Sequence, residues 1–128
     1  MITTQKKAFD AYKVIAKLCT MSLDIYTSYK LLLLRKKLEV QTEFQTNEEM
    51  KIINELDGAK VDDEGRITFK SIDDRIEFES RRNDLFNLEI FVDVEPIQIS
   101  FASNPDIRLS ADELENLTPF ITFTELAD

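Results

Sequence analysis

No glycine or proline occurs in this chain before Gly58, and only two glycines and three prolines occur in all 128 residues. That absence constrains the fold more than any other feature, because nothing in the first part of the chain breaks a helical period. Thr4 to about Cys19 is predicted to be a helix, with Phe9, Tyr12, Ile15, Ala16 and Cys19 as its apolar stripe and Lys6, Lys13 and Lys17 off it. Residues 21–26 lose the period and read as a short extended connector that could add an edge strand. A second helix is expected to begin near Thr27 or Ser28, either of which can cap it, and to run to about Leu56. At 1.5 Å per residue that helix is roughly 43 Å long.

Its apolar residues gather at the ends: Leu31 to Leu34 and Leu38, then Ile52, Ile53 and Leu56. The middle is polar (Gln41, Thr42, Glu43, Gln45, Thr46, Asn47) apart from Phe44. Such a segment is expected to project from the body or to lie against a partner. Four successive leucines cannot all face one core from one helix, so at least one should be exposed or buried in an interface. A heptad reading holds for Leu31, Leu34 and Leu38 and then fails, so a sustained coiled coil is not expected.

Asp57-Gly58 should end the long helix. Lys60 to Phe69 reads as a β-hairpin with Gly65 at its turn. Ser71 with Asp74 resembles a cap for a third helix carrying Ile72, Ile76, Leu85 and Phe86 and ending near Asn87. Residues 88–94 alternate, with Leu88, Ile90, Val92 and Val94 on one face and Glu89, Phe91, Asp93 and Glu95 on the other. Pro96 interrupts before Ile97, Ile99 and Phe101 resume, so the segment is an edge strand, a bent strand or two strands. Ser110-Ala111-Asp112-Glu113 is a capping box for a short helix to about Leu117, with Leu109 and Leu114 at the staple positions. Phe120, Ile121 and Phe123 form a terminal apolar tail. The predicted fold class is α+β: a helical hairpin with one long helix, a small antiparallel sheet drawn from the 60–69 hairpin and the 88–101 strands, and two short helices. The size fits a single domain over residues 1–128, with the helical hairpin in 1–57 and the remaining elements in 58–128.

Charge and residue chemistry narrow the function. Residues 61–128 carry seventeen acids against six bases, a net of −11, whereas residues 1–60 net +2. A field of that sign repels nucleic acid and anionic membranes and favours basic protein surfaces. With no histidine and a single cysteine, the commonest general base and the usual zinc ligands are missing. The lone Cys19 reads as buried filler. Asp62-Asp63-Glu64-Gly65 would place Lys60 and Ser71 at the first and last ligand positions of a calcium loop, so it reads as a solvated turn. Asp73, Asp74, Glu77 and Glu79 are interleaved with arginines and suit helical ion pairs such as Glu77–Arg81. No catalytic residue, cofactor or metal site is expected. Leu33, Arg35, Lys36 and Phe44 on the long helix are the candidates for a partner surface. Glu89, Asp93, Glu95, Asp112 and Glu115 are the candidates for an acidic one. The basic run Lys30, Arg35, Lys36, Lys37 suits a solvated face, or the acidic half of another copy, better than phosphate.

Several local phrases occur in a familiar order. Thr27-Ser28-Tyr29-Lys30 opens the long helix, Asp63-Glu64-Gly65 makes the turn, and Asn83-Asp84-Leu85 lies in the next helix. Val94-Glu95-Pro96-Ile97, Leu109-Ser110-Ala111-Asp112-Glu113-Leu114 and Leu117-Thr118-Pro119-Phe120 follow. Together, over roughly residues 20–121, these resemble small acidic proteins of unknown function encoded by tailed bacteriophages and prophages. The resemblance implies a virion or host-cytoplasmic setting and lends no active site. It leads to the expectation of a non-enzymatic interaction protein with a structural or assembly role in the virion. The alternative is an acidic inhibitor that presents carboxylates where a host polymerase, nuclease or defence protein would take phosphates. The expected partners are proteins, either phage structural proteins or a host enzyme, with a second copy of the chain also open. Neither nucleic acid nor membrane is expected to be bound directly.

Overall fold

In the computed structural model, which describes residues 1–125, the glycine-free segment forms an antiparallel helical hairpin on one long spine. Strand β1 (Ile2–Thr4) leads directly into helix α1 (Gln5–Leu18), whose N-cap Thr4 accepts a hydrogen bond from the Lys7 amide at 3.2 Å. Helix α2 (Ile25–Glu55) spans 31 residues. It starts earlier than expected because Asp24, rather than Thr27 or Ser28, is the cap. The Asp24 carboxylate accepts from the Thr27 amide at 3.0 Å and from the Thr27 hydroxyl at 2.7 Å. These bonds, the amide first, hold its pKa below the usual value. A carboxylate at this end also meets the positive pole of the helix, which a neutral threonine cannot exploit. The connector therefore turns into a cap and adds no strand.

The buried face of α1 is not the predicted one. Gln5, Ala8, Ala11, Val14, Ile15 and Leu18 are buried, whereas Phe9, Tyr12, Ala16 and Cys19 are only half-buried. At 3.6 residues per turn the true face is rotated by roughly 90° from the aromatic stripe. Large side chains drew the prediction, but α1 packs between α2 and a later helix, and small alanines suit that close packing. Phe9 instead meets Phe86 of the third helix, with ring centroids 5.4 Å apart. Cys19 is free and packs at the margin of the core.

Beyond α2, β2 (Lys60–Val61) and β3 (Ile67–Thr68) make the expected antiparallel hairpin. Gly65 takes the turn at φ 82°, and the Asp62 carboxylate accepts from the Glu64 and Arg66 amides, so it is committed to the turn. Gly58 ends the spine at φ 79°, where a Cβ would lie 2.9 Å from the Lys70 Cβ. Helix α3 (Ile72–Phe86) is capped by Ser71 as expected, but it buries Phe78 while Ile72 and Ile76 are exposed. Arg75 makes an expected helical ion pair, with Glu79 at 3.2 Å, but Arg81 pairs with Glu55 at 2.6 Å and Arg82 with Glu49 at 3.4 Å on the spine, so inter-helix contacts replace the Glu77–Arg81 pair.

Strand β4 (Glu89–Phe91) pairs antiparallel with β1, and Pro96 separates it from β5 (Ile97–Ser100). Helix α4 (Ala111–Leu117) carries the predicted capping box between Ser110 and Glu113. The predicted apolar tail is not free. Ile121–Thr124 forms β6, parallel to β5, with Phe120 and Ile121 buried and Phe123 stacked on Phe101 at 4.8 Å. The class is α+β, but the described strands form three separate two-stranded ladders in place of one small sheet. The 60–69 hairpin sits with the far end of α2 and α3, away from the 88–101 strands. It is held there by a second apolar cluster of Ile52, Ile53 and Phe78, with Ile67 and Phe69 against it. The main cluster gathers α1, residues 31–38 of the spine, Val92, Ile99, Leu117, Phe120 and Ile121.

Candidate interaction surface

The spine carries two apolar faces. Thr27, Leu31, Leu34, Leu38, Gln45 and Ile52 are buried against the body. Tyr26, Tyr29, Leu33, Val40 and Phe44 remain 78%, 61%, 45%, 62% and 40% exposed. At 3.6 residues per turn these five fall within an arc of about 60°, roughly 135° round the helix from the buried face. Residues 26 to 44 span about 27 Å at 1.5 Å per residue. The strip is broken only between Leu33 and Val40, where Lys36 and Lys37 border it. Aligned exposed apolar residues over this length on the outside of a helix are the usual mark of a surface that something covers.

Three of the four predicted partner residues belong here. Leu33 and Phe44 lie on the strip, and Lys36 is exposed on its flank. Arg35 is half-buried and sits about 160° from Leu33 round the helix, so it does not join them. Of the four leucines in 31–34, Leu31 and Leu34 are buried and Leu33 is the exposed one that crowding required. Tyr26, Tyr29 and Val40 were missed. Tyr26 falls in the segment expected to be a connector, and Val40 stands alone between Leu38 and the polar run that begins at Gln41. The signal was the 3-4-7-4 spacing of positions 26, 29, 33, 40 and 44.

Beside the strip runs a groove of about 300 Å³ between α2 and the segment joining β4 to β5. Leu33, Leu34, Val94 and Ile97 supply its apolar lining. Lys30 and Lys37 stand on one wall, and Asp93 and Glu95 on the other. The fold thus brings two of the predicted acids next to the predicted leucine. Glu89 is exposed on β4, while Asp112 and Glu115 are exposed on α4. None of these five carboxylates is in an ion pair among the described residues.

Among the described residues, no three Cys, Asp or Glu side chains come together as a group that could hold a metal ion. Among them, too, no helix is long and apolar enough to cross a membrane. The geometry offers apolar contact rimmed by charge of both signs, which is the chemistry of a protein interface. Comparisons with protein-family models, with curated proteins and with solved structures find no match.

Proposed function

We propose that this chain is a non-enzymatic protein–protein interaction protein with a structural or assembly role in a tailed-phage particle, a role that needs the outer face of α2 as an interface. The observation that carries the interaction reading is the exposed strip of Tyr26, Tyr29, Leu33, Val40 and Phe44. Keeping that much aligned apolar surface in water is unfavourable by roughly 25 cal/mol for each Å². An occupant removes the cost. The phage setting is supported by the resemblance of the turn and cap motifs described above.

The test is affinity purification of the tagged chain from phage-infected host cells, alongside a Leu33→Glu/Phe44→Glu variant. Capsid, portal or tail proteins should come down with the parent chain and be lost with the variant. Equal recovery by both would remove α2 as the docking face. A second reading, an acidic host-directed inhibitor, is favoured by the exposure of Glu89, Asp93, Glu95, Asp112 and Glu115. It predicts recovery of one basic host polymerase, nuclease or defence protein, released steeply by salt.

A further inference from the structure

We propose that the outer face of α2 pairs with the same face of a second copy, antiparallel, about a two-fold axis near Glu39 and Val40. The inference rests on the reading of that face as an interface and names its occupant. The argument begins with the charges flanking the strip. Its N-terminal half is bordered by Lys30, Lys36 and Lys37, and its C-terminal half by Glu43 and Glu48, with Lys51 beyond Phe44 neutralised by Glu48 at 2.9 Å. Parallel pairing of two copies would set lysines against lysines. Antiparallel pairing sets each basic half against an acidic half, which supplies both attraction and direction.

The register is over-determined. Lys36 and Glu43 are two helical turns apart and share one flank of the strip. Both are exposed, and neither has an ion-pair partner among the described residues. Lys30 and Glu48 are five turns apart and share the other flank. In an isologous pair each flank meets its own copy, so residue i faces j and j faces i. Setting Lys36 opposite Glu43 of the second copy also sets Lys30 opposite its Glu48. The same alignment brings Leu33 against Phe44 and Val40 against itself. Every one of these pairs is centred within about one residue of the Glu39–Val40 midpoint, as a two-fold axis requires. Two independent flanks and the apolar strip therefore give one answer. Glu48 now holds Lys51 at 2.9 Å and would exchange it for Lys30 of the second copy, so the Lys36–Glu43 pair carries the discriminating test.

The measurement is the solution mass of the full chain by sedimentation equilibrium. The parent chain should be a dimer, twice its 14.9 kDa. Lys36→Glu and Glu43→Lys should each raise the dimer dissociation constant by about tenfold or more, since each sets like charges opposite one another twice. The double exchange should restore dimerisation, a recovery that general surface disturbance would not produce. These positions are solvated, so circular dichroism should be unchanged in all three. A monomeric parent chain, or single reversals that leave the dimer intact, would overturn the proposal, as would a double exchange that fails to restore it. If the parent chain is monomeric yet the Leu33→Glu/Phe44→Glu variant loses its partners from infected cells, only the second copy is excluded and the interface stands. If neither mass nor partners respond, both readings fall.

Discussion

Glu113 shows how one carboxylate can tie two elements together. It accepts from the Ser110 amide at 2.9 Å within its own capping box and from Lys17 of α1 at 2.8 and 3.0 Å. The Lys17 bond first, then the Ser110 amide, hold its pKa below the usual value of 4.5. A carboxyl group whose pKa is lower folded than unfolded stabilises the fold at neutral pH, and that stability is lost as pH falls through the folded value. Glu113→Gln should therefore lower the thermal midpoint at pH 7, with the gap to the parent chain closing as the solution is acidified below the ordinary carboxylate range. Asp24 has the same sign, because its cap bonds also favour the anion. Glu49 has the opposite one. Burial raises its pKa against the pull of Arg82, so its ionised form weakens the fold at neutral pH and acid relieves that cost. Paired melting curves from pH 7 to pH 3 decide the matter for Glu113. A gap independent of pH would mean that the neutral amide loses packing rather than charge.

At the scale of elements, what could be read from sequence were the features written in backbone chemistry. The capping box at Ser110–Glu113, the turn at Gly65, the end of the spine at Gly58 and the strand break at Pro96 are local, and each stands where its residues required. What could not be read was which element covers which. The three-residue β1 has no period of its own and exists because Met1 and Val92 exchange backbone hydrogen bonds at 2.9 Å in each direction. The tail around Ile121 became β6 only because β5 offered it a parallel edge. The outer strip of α2 was half-legible, since Leu33 and Phe44 stood out while Val40 was lost in polar surroundings. Gln45 went the other way, being fully buried where exposure was expected. It stands seven residues from Leu38 and seven from Ile52 on the buried face, where a leucine would continue the core. Its amide makes no hydrogen bond of full geometry among the described residues, as is true of Gln5 Oε1 and Thr3 Oγ1, though it lies close enough to the Glu49 carboxylate to favour that group's ionised form. Gln5 does donate through Nε2 to the Gln41 carbonyl at 2.6 Å. An unsatisfied buried amide costs about 1–3 kcal/mol. Gln45→Met conserves volume and removes that cost, so it should raise the urea midpoint by the equivalent of roughly 1–2 kcal/mol at unchanged m. A lower midpoint would show that the amide is bonded in solution, to the Glu49 carboxylate or to water.

The polar layer divides the whole molecule. On one side the main cluster joins α1, the first half of the spine, β5, β6 and α4; on the other, Ile52, Ile53 and Phe78 hold the hairpin and α3. Because both are built on one unbroken helix, the far cluster can loosen without the near one. Phe78 is its only buried aromatic; it packs on Phe69 at 5.5 Å and lies under Arg82 at 5.8 Å. Truncating a buried phenylalanine costs about 3–5 kcal/mol. So small a cluster has little left after that loss. Phe78→Ala should therefore open α3, the β2–β3 hairpin and the last turns of α2 locally, rather than melt the chain as one unit. Several ties oppose full detachment: the Phe9–Phe86 contact, Lys6 over the Phe86 ring at 5.5 Å, the Arg82–Glu49 ion pair, and the bond from the Gln5 amide to the Leu88 carbonyl at 2.9 Å. All of them sit at the C-terminal end of α3, so opening should be greatest around residues 52–80 and should fade towards Phe86. Hydrogen exchange followed by mass spectrometry reads this directly. Amides in residues 52–80 should exchange at least tenfold faster, while those of α1 and residues 31–38 keep their protection. Uniform loss of protection would mean that the spine transmits the defect and the two clusters fold as one. The outer strip of α2 runs alongside the main cluster and ends where the far cluster begins. The same variant should therefore leave the solution mass of the chain unchanged, which ties the interface to the rigid half of the spine.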